Sequence, residues 1–158
     1  MTTHDQRLLR LAIHLAQENL TTGVGGPFGA VIARGTDILA TASNEVTSTN
    51  DPTAHAEVVA IRQACLSIGH YSLAGCILYA SCEPCPMCLA ATYWARIDRL
   101  YYAASRHDAA EAGFDDEFLY RELVLPVNER IIPTHQQLAS EGAAIFTAWS
   151  AKTDKVMY

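Results

Sequence analysis

The chain has 158 residues, 50% of them apolar or aromatic, and a net charge of −6 from 11 basic and 17 acidic side chains. That length predicts one domain with a full core, and the composition excludes a disordered chain. No Lys/Arg run is present, so no nucleic-acid partner is expected, because phosphate neutralisation supplies most of that affinity. A small or uncharged ligand fits better. The longest uncharged stretch, 63–82, is broken by Ser67, Gly69, His70, Ser72 and Gly75, so no membrane association is expected. The first ten residues lack a secretory pattern. Five cysteines, three of them within 82–88, do not form a disulfide framework, and a cytoplasmic location is expected.

In chain order, 5–20 places Leu8, Leu11, Ala12, Leu15 and Ala16 at helical spacing, with Asp5 as a candidate cap. The segment 21–27 holds three glycines and a proline and reads as a turn. Strands are predicted over 28–33 and 38–42, joined by Arg34-Gly35-Thr36-Asp37 as a hairpin connection. The run 43–54 is polar and turn-rich. Thr53 or Asp51 starts a helix over 54–68, with Val58, Ile61, Ala64, Cys65 and Ile68 on one face. A buried strand follows over 76–82, then a sharp turn at Glu83-Pro84-Cys85-Pro86, a helix over 87–96 and a strand over 100–104. Beyond lie an acidic segment over 108–122, a short strand over 123–127 and a helix over 135–149 that contains Gly142. Helices alternating with strands predict an α/β sandwich around a mixed sheet.

The chemistry-bearing residues gather at two predicted helix starts, His55-Ala56-Glu57 and Pro84-Cys85-Pro86-Met87-Cys88. Cysteines three positions apart on a first helical turn point their sulfurs the same way. One His and two Cys give zinc three ligands, and a catalytic site keeps the fourth position for water whereas a structural site closes it. Helix N-termini also stabilise thiolates. Glu57, two residues past His55, is turned away from the ligand direction but can lean over the water position. A carboxylate there can take the water's proton and deliver it to a leaving amine.

These motifs, in this order, resemble the cytidine deaminase superfamily, and most closely its guanine deaminase branch. The likeness extends over nearly the whole chain. It is carried by Gly26-Pro27-Phe28-Gly29-Ala30-Val31, Thr49-Asn50-Asp51-Pro52-Thr53-Ala54-His55-Ala56-Glu57, Ser81-Cys82-Glu83-Pro84-Cys85-Pro86-Met87-Cys88, Tyr93-Trp94-Ala95-Arg96 and 108–116 with its Gly113-Phe114-Asp115-Asp116. The zinc motifs belong to the whole superfamily, whereas Gly-Phe-Asp-Asp and the terminal Tyr158 point to the guanine branch. The resemblance implies zinc-dependent hydrolysis of guanine to xanthine and ammonia in purine metabolism, with one Zn²⁺ per subunit on His55, Cys85 and Cys88 and proton transfer by Glu57. It implies a three-layer α/β/α sandwich with a five-stranded mixed sheet, a single domain over 1–158, and a homodimer exchanging the segment from about residue 140 onward. It further implies that Asn44 hydrogen-bonds a purine substrate, that Phe28 packs on it, and that Ala56, Trp94 and Phe114 line its pocket. Asp116 accepts from the base, and Tyr158 closes over the partner's site. Guanine's N1–H and exocyclic NH₂ flank the attacked carbon, and a pocket carboxylate is their natural acceptor.

Plainer readings stand beside these. Cys65, Cys76 and Cys82 read as buried thiols, and His4, His14, His70, His107 and His135 as surface or polar-contact residues, although any one as a fourth ligand would make the site structural. The residues alone leave Asn44 open between turn and substrate contact, Phe28 and Trp94 open to core packing, Asp115-Asp116 open to a solvated loop, and Tyr158 open to fraying. A cytosine deaminase and a tRNA adenosine deaminase share the zinc chemistry, the latter disfavoured by the acidic charge. A zinc-stabilised binding module is the non-enzyme alternative.

Overall fold

The computed structural model describes residues 1–157. Helix α1 (Thr3–Thr22) buries Leu8, Ala12 and Ala16 along one stripe. Its cap is Thr2, not Asp5: Thr2 Oγ1 accepts from the Asp5 N–H at 3.1 Å, and the Asp5 carboxylate accepts from the Thr2 N–H at 2.6 Å. This reciprocal box satisfies two amides that a helix start leaves without partners. Strands β1 (Gly29–Arg34) and β2 (Asp37–Ser43) form the expected antiparallel hairpin, with Arg34 opposite Asp37 and a register shift between Ile32 and Ala33. A short helix α2 (Val46–Thr49) lies in the polar run before α3 (Ala56–Ile68). Strand β3 (Ile77–Cys82) pairs antiparallel with β1. Helix α4 (Pro86–Trp94) then carries the chain across to β4 (Arg99–Ala104), which pairs parallel with β3. A parallel neighbour requires such a crossover.

The strand order is β2-β1-β3-β4, and helices cover both faces. Side chains alternate across the sheet with the period of two that strands impose. Val31, Ala33 and Tyr79 meet Leu8 and Ala12 on the α1 face. Ala30, Ile32 and Leu78 meet Val59, Ala60 and Ala64 on the α3 face. Ile32 and Leu78 are fully buried, each stabilising the fold by about 1.5–3 kcal/mol over exposure. The buried Tyr79 hydroxyl donates to the Asp5 carboxylate at 2.7 Å, tying α1 to β3.

Among the described residues the sheet has four strands, which corrects the expectation of five. The segment 123–127, expected as a short strand, lies instead at the end of helix α6 (Asp116–Val124) and the start of a 3-10 turn at Val127–Glu129. Asp116 and Glu117 at the start of α6 and Arg121 in its last turn match the helix dipole. A short apolar run alone does not distinguish a strand from a helix end. Between β4 and α6 stands α5 (Arg106–Glu111), capped by a second reciprocal box between Ser105 and Asp108.

The chain divides into two compact units, Met1–Tyr120 and Arg121 onward. In the second unit, Ile131 N–H donates to Glu122 at 2.8 Å and Arg130 Nε to the Leu125 carbonyl at 3.2 Å. Helix α7 (Ala139–Ala151) presents Ile145 and Phe146 to solvent in the single chain. Among the described residues no helix is long and apolar enough to cross a membrane.

Candidate active site

His55 and Cys85 hold the same structural position, the residue just before α3 and α4 respectively, both with extended backbone. Neither helix start carries a side-chain cap. Imidazole and thiol therefore face one another, with His55 Nδ1 3.7 Å from Cys85 Sγ. Cys88, in the first turn of α4, completes a cluster whose three donor atoms lie within 4.8 Å of one another. Tetrahedral zinc with nitrogen at about 2.1 Å and sulfur at about 2.3 Å separates its donors by about 3.6–3.8 Å, which the His55–Cys85 pair at 3.7 Å matches, with Cys88 close enough to join it. Among the described residues no fourth His, Cys, Asp or Glu joins it, leaving one coordination position for a small ligand.

The electrostatics suit a cation. Cys85 is pulled down to about 4, first by its hydrogen bond from Cys88 and further by His55. Cys88, which donates that bond, is pushed up, and His55 is raised by the same contact with Cys85. Glu57, on the first turn of α3, is 8% exposed, and burial raises its carboxyl above the usual range.

His55, Glu57 and Cys85 open onto a cavity of about 490 Å³ that Phe28, Asn44, Phe114 and Asp116 also line. The Phe28 and Phe114 rings meet edge to face, 4.9 Å between centroids. Asn44 Oδ1 accepts from the Gly26 N–H at 3.1 Å and the Val46 N–H at 3.2 Å. It thus has the turn-forming role and a place in the cavity together. A Cβ at residue 25 would lie 2.0 Å from the Asn44 carbonyl oxygen, so only glycine permits this approach. The two neighbouring aspartates divide their work. Asp115 accepts from the Phe118 N–H at 3.1 Å and caps α6, whereas Asp116 faces the cavity, its carboxyl raised by burial and then by Cys85.

Two expected pocket residues do not line this cavity. Trp94 is 68% exposed and borders a separate shallow depression with Ala90, Tyr93 and Arg96, because its position at the end of α4 turns it away from the Cys88 side. Ala56 is fully buried in the core under the sheet. Tyr158 lies outside the described residues. Five lining residues were missed, Gly25, Gly26, Val46, Thr47 and the one ionisable group among them, Glu83, whose carboxylate accepts from the Arg106 N–H at 3.2 Å. Its place in the Cys82-Glu83-Pro84-Cys85 run, beside a ligand, was the available signal.

Residues 2–104 match the family described as the cytidine and deoxycytidylate deaminase zinc-binding region. The chain belongs to this deaminase family. Within it, the chain is 53% identical to guanine deaminase of Bacillus subtilis over 153 residues, spanning 97% of this chain and 98% of the relative. The X-ray structure of guanine deaminase from Bacillus subtilis superposes with a TM-score of 0.94 at 52% identity, covering 100% of this chain and 99% of the other. A tRNA-specific adenosine deaminase of Agrobacterium fabrum is 45% identical over 89 residues, 55% of this chain and 59% of the relative. A crystal structure of a mutant of a protein named NE0047, in complex with 8-azaguanine, matches at TM-score 0.66 and 28% identity over 71% of this chain and 64% of the other. This deaminase chain is a zinc-dependent aminohydrolase by family and by the donor set it assembles.

Proposed function

We propose that this deaminase hydrolyses guanine to xanthine and ammonia, with one zinc ion per subunit held by His55, Cys85 and Cys88. The observation that carries the chemistry is the three-donor cluster opening onto the same cavity as the buried Glu57. The choice of guanine is supported by the Bacillus subtilis relative and by the 8-azaguanine bound in NE0047. Zinc in this site supplies a Lewis acid that makes water nucleophilic near neutral pH. Every other task falls to the chain. The Glu57 carboxylate takes one proton of the attacking water and delivers it to the ring nitrogen beside the attacked carbon, then carries the remaining hydroxyl proton to the exocyclic nitrogen, which departs as ammonia as the carbonyl forms. Phe28 and Phe114 hold the flat base between apolar surfaces. Asn44, its Oδ1 engaged by backbone amides, offers its NH₂ group to the base. Asp116 accepts from the base's N1–H and NH₂ donors, and its partial burial strengthens such contacts.

The functional protein is proposed as a single domain over 1–158 that acts as a homodimer, with the segment from about residue 140 exchanged and Tyr158 closing over the partner's site. The apolar residues that α7 leaves exposed in the single chain support this arrangement. Unpaired cysteines support a reducing, cytoplasmic setting. The test is ammonia release by zinc-loaded protein from guanine, cytosine, adenine and a tRNA anticodon stem. Release from guanine is expected, and release from cytosine but not guanine would overturn the substrate. Removing the last few residues should raise KM without loss of zinc, and unchanged kinetics would refute the closing role of Tyr158.

A further inference from the structure

We propose that Tyr120 is a positioning residue: its hydroxyl, donated to the Pro84 carbonyl, docks α6 on the turn that carries Cys85 and so sets where the Asp116 carboxylate stands in the cavity. This role rests on the reading of Asp116 as the acceptor for guanine's donors.

Asp116 is the first residue of α6, and Tyr120 follows it by one helical turn, on the same face. The Tyr120 hydroxyl lies 2.9 Å from the Pro84 oxygen, one residue before a zinc ligand. The Arg106 guanidinium sits 4.7 Å from the centre of the Tyr120 ring, a cation–π distance. The Arg106 N–H in turn donates to Glu83 at 3.2 Å. Residues 83, 84, 106 and 120 thereby close a ring of contacts joining the end of β3, the start of α5 and the middle of α6.

The chain entering α6 is otherwise held by local contacts, among them the Asp116 N–H to the Phe114 carbonyl at 3.0 Å and the Phe118 N–H to the Asp115 carboxylate at 3.1 Å. Gly113 has φ +95°, a left-handed turn open to solvent on its Cβ side. Phe114 is the anchor before Asp116, through its N–H to the Ala109 carbonyl at 3.0 Å and its ring on Phe28. A further side-chain link from α6 to α5, Glu117 with His107, is an exposed ion pair at 4.0 Å, a kind that fixes little. A carboxylate that must meet two donors of a flat base needs placement to a fraction of an ångström. Phe114 holds the approach to it, and Tyr120 holds the helix that follows.

The test is a double-mutant cycle in zinc-loaded full-length protein, reading guanine KM and kcat, zinc per chain and the Kd of 8-azaguanine by calorimetry. Tyr120→Phe should weaken 8-azaguanine binding and raise KM by about threefold to tenfold, the worth of one neutral hydrogen bond, with zinc per chain unchanged. In an Asp116→Ala background the same substitution should change Kd less than about twofold, because the group it positions is gone. If that background binds too weakly to measure, unsubstituted purine, which lacks both donors, takes its place, and Tyr120→Phe should leave its binding unchanged. A wild-type-like Tyr120→Phe, an equal loss in both backgrounds, an equal loss for purine, or loss of zinc overturns the role. A wild-type protein that releases no ammonia from guanine overturns the functional reading instead, which separates the two failures.

Discussion

Replacing Glu57 with glutamine removes a proton carrier while leaving the shape of the site almost unaltered. Glu57 is 8% exposed on the first turn of α3, and the amide fills the same volume. The carboxylate is not among the three clustered donors, so zinc per chain should stay at the wild-type value. A positioned acid–base group contributes about 10²–10⁴-fold to rate. At about 1.36 kcal/mol per decade, that is about 3–5 kcal/mol of barrier, and Glu57 serves both the uptake and the delivery of the proton, which favours the upper end. Stability should move the other way. Burial raises the Glu57 carboxyl, so above that raised value folding opposes its ionisation; a neutral amide relieves this, and the metal-free variant should melt no lower than wild type at about pH 7. Steady-state ammonia release, metal analysis and a thermal melt of metal-free protein read the three quantities. A glutamine variant within about tenfold of wild-type kcat, or one that has lost its zinc, would refute the reasoning.

Gly25→Ala places a methyl 2.0 Å from the Asn44 carbonyl oxygen, a backbone atom that cannot swing aside. It should cost about 1–3 kcal/mol in denaturant unfolding and raise the KM for guanine, and an unchanged midpoint would contradict the close approach. His55→Asn gives α3 a strong N-cap former where it has no side-chain cap. The metal-free protein should gain about 0.5–2 kcal/mol while zinc binding is lost, readable by melts with and without added zinc. Asp5 is held down to about 2 by the Thr2 amide and then the Tyr79 hydroxyl. A depressed carboxyl stabilises the fold above its unfolded value near 3.8, and that contribution disappears as pH falls from there through about 2. Asp5→Asn should therefore be less stable than wild type at neutral pH and converge on it in acid, whereas a constant gap across that window would count against the Asp5 contacts.

The order of helices and strands through β4 was legible in the sequence because each segment there carries one dominant period. Val31 and Ala33 against Ala30 and Ile32 alternate as a strand must, and Leu8, Ala12 and Ala16 recur as a helix must. Legibility fell over 105–127, where short helices are joined by turns and acidic and apolar residues are interleaved. The run 123–127 shows why: its strand-like composition is overridden by the charges that start and end α6. In the site, the gathering of His55, Cys85 and Cys88 was readable from the order and spacing of the two motifs at helix starts. Asn44, Phe114 and Asp116 were not, because they reach the cavity through loop geometry, and only a resemblance placed them. For Trp94 the helix was foreseen, but not that its last turn leaves the ring exposed in the single chain.

The two helix starts that meet at the donor cluster differ from those of α1 and α5. Helices α1 and α5 begin with complete reciprocal boxes, Thr2 with Asp5 and Ser105 with Asp108. Helices α3 and α4 begin with His55 and Cys85, poor caps, and no side chain replaces them. An omitted cap costs about 0.5–2 kcal/mol, so two omissions side by side in space are a consistent departure from what local stability favours. The departure has a use: each vacant cap position points a metal-binding side chain at the other helix, and the uncapped N-termini stabilise the thiolates that zinc requires. Cys85 is held down to about 4, first by the hydrogen bond from Cys88 and further by the His55 imidazole. The same logic identifies the residue types a purely structural chain would carry at 55 and 85, Ser, Thr, Asp or Asn; a missing cap alone is no mark of a site, since α7 also starts without one, at Leu138, and it is the facing of His55 and Cys85 that distinguishes this pair.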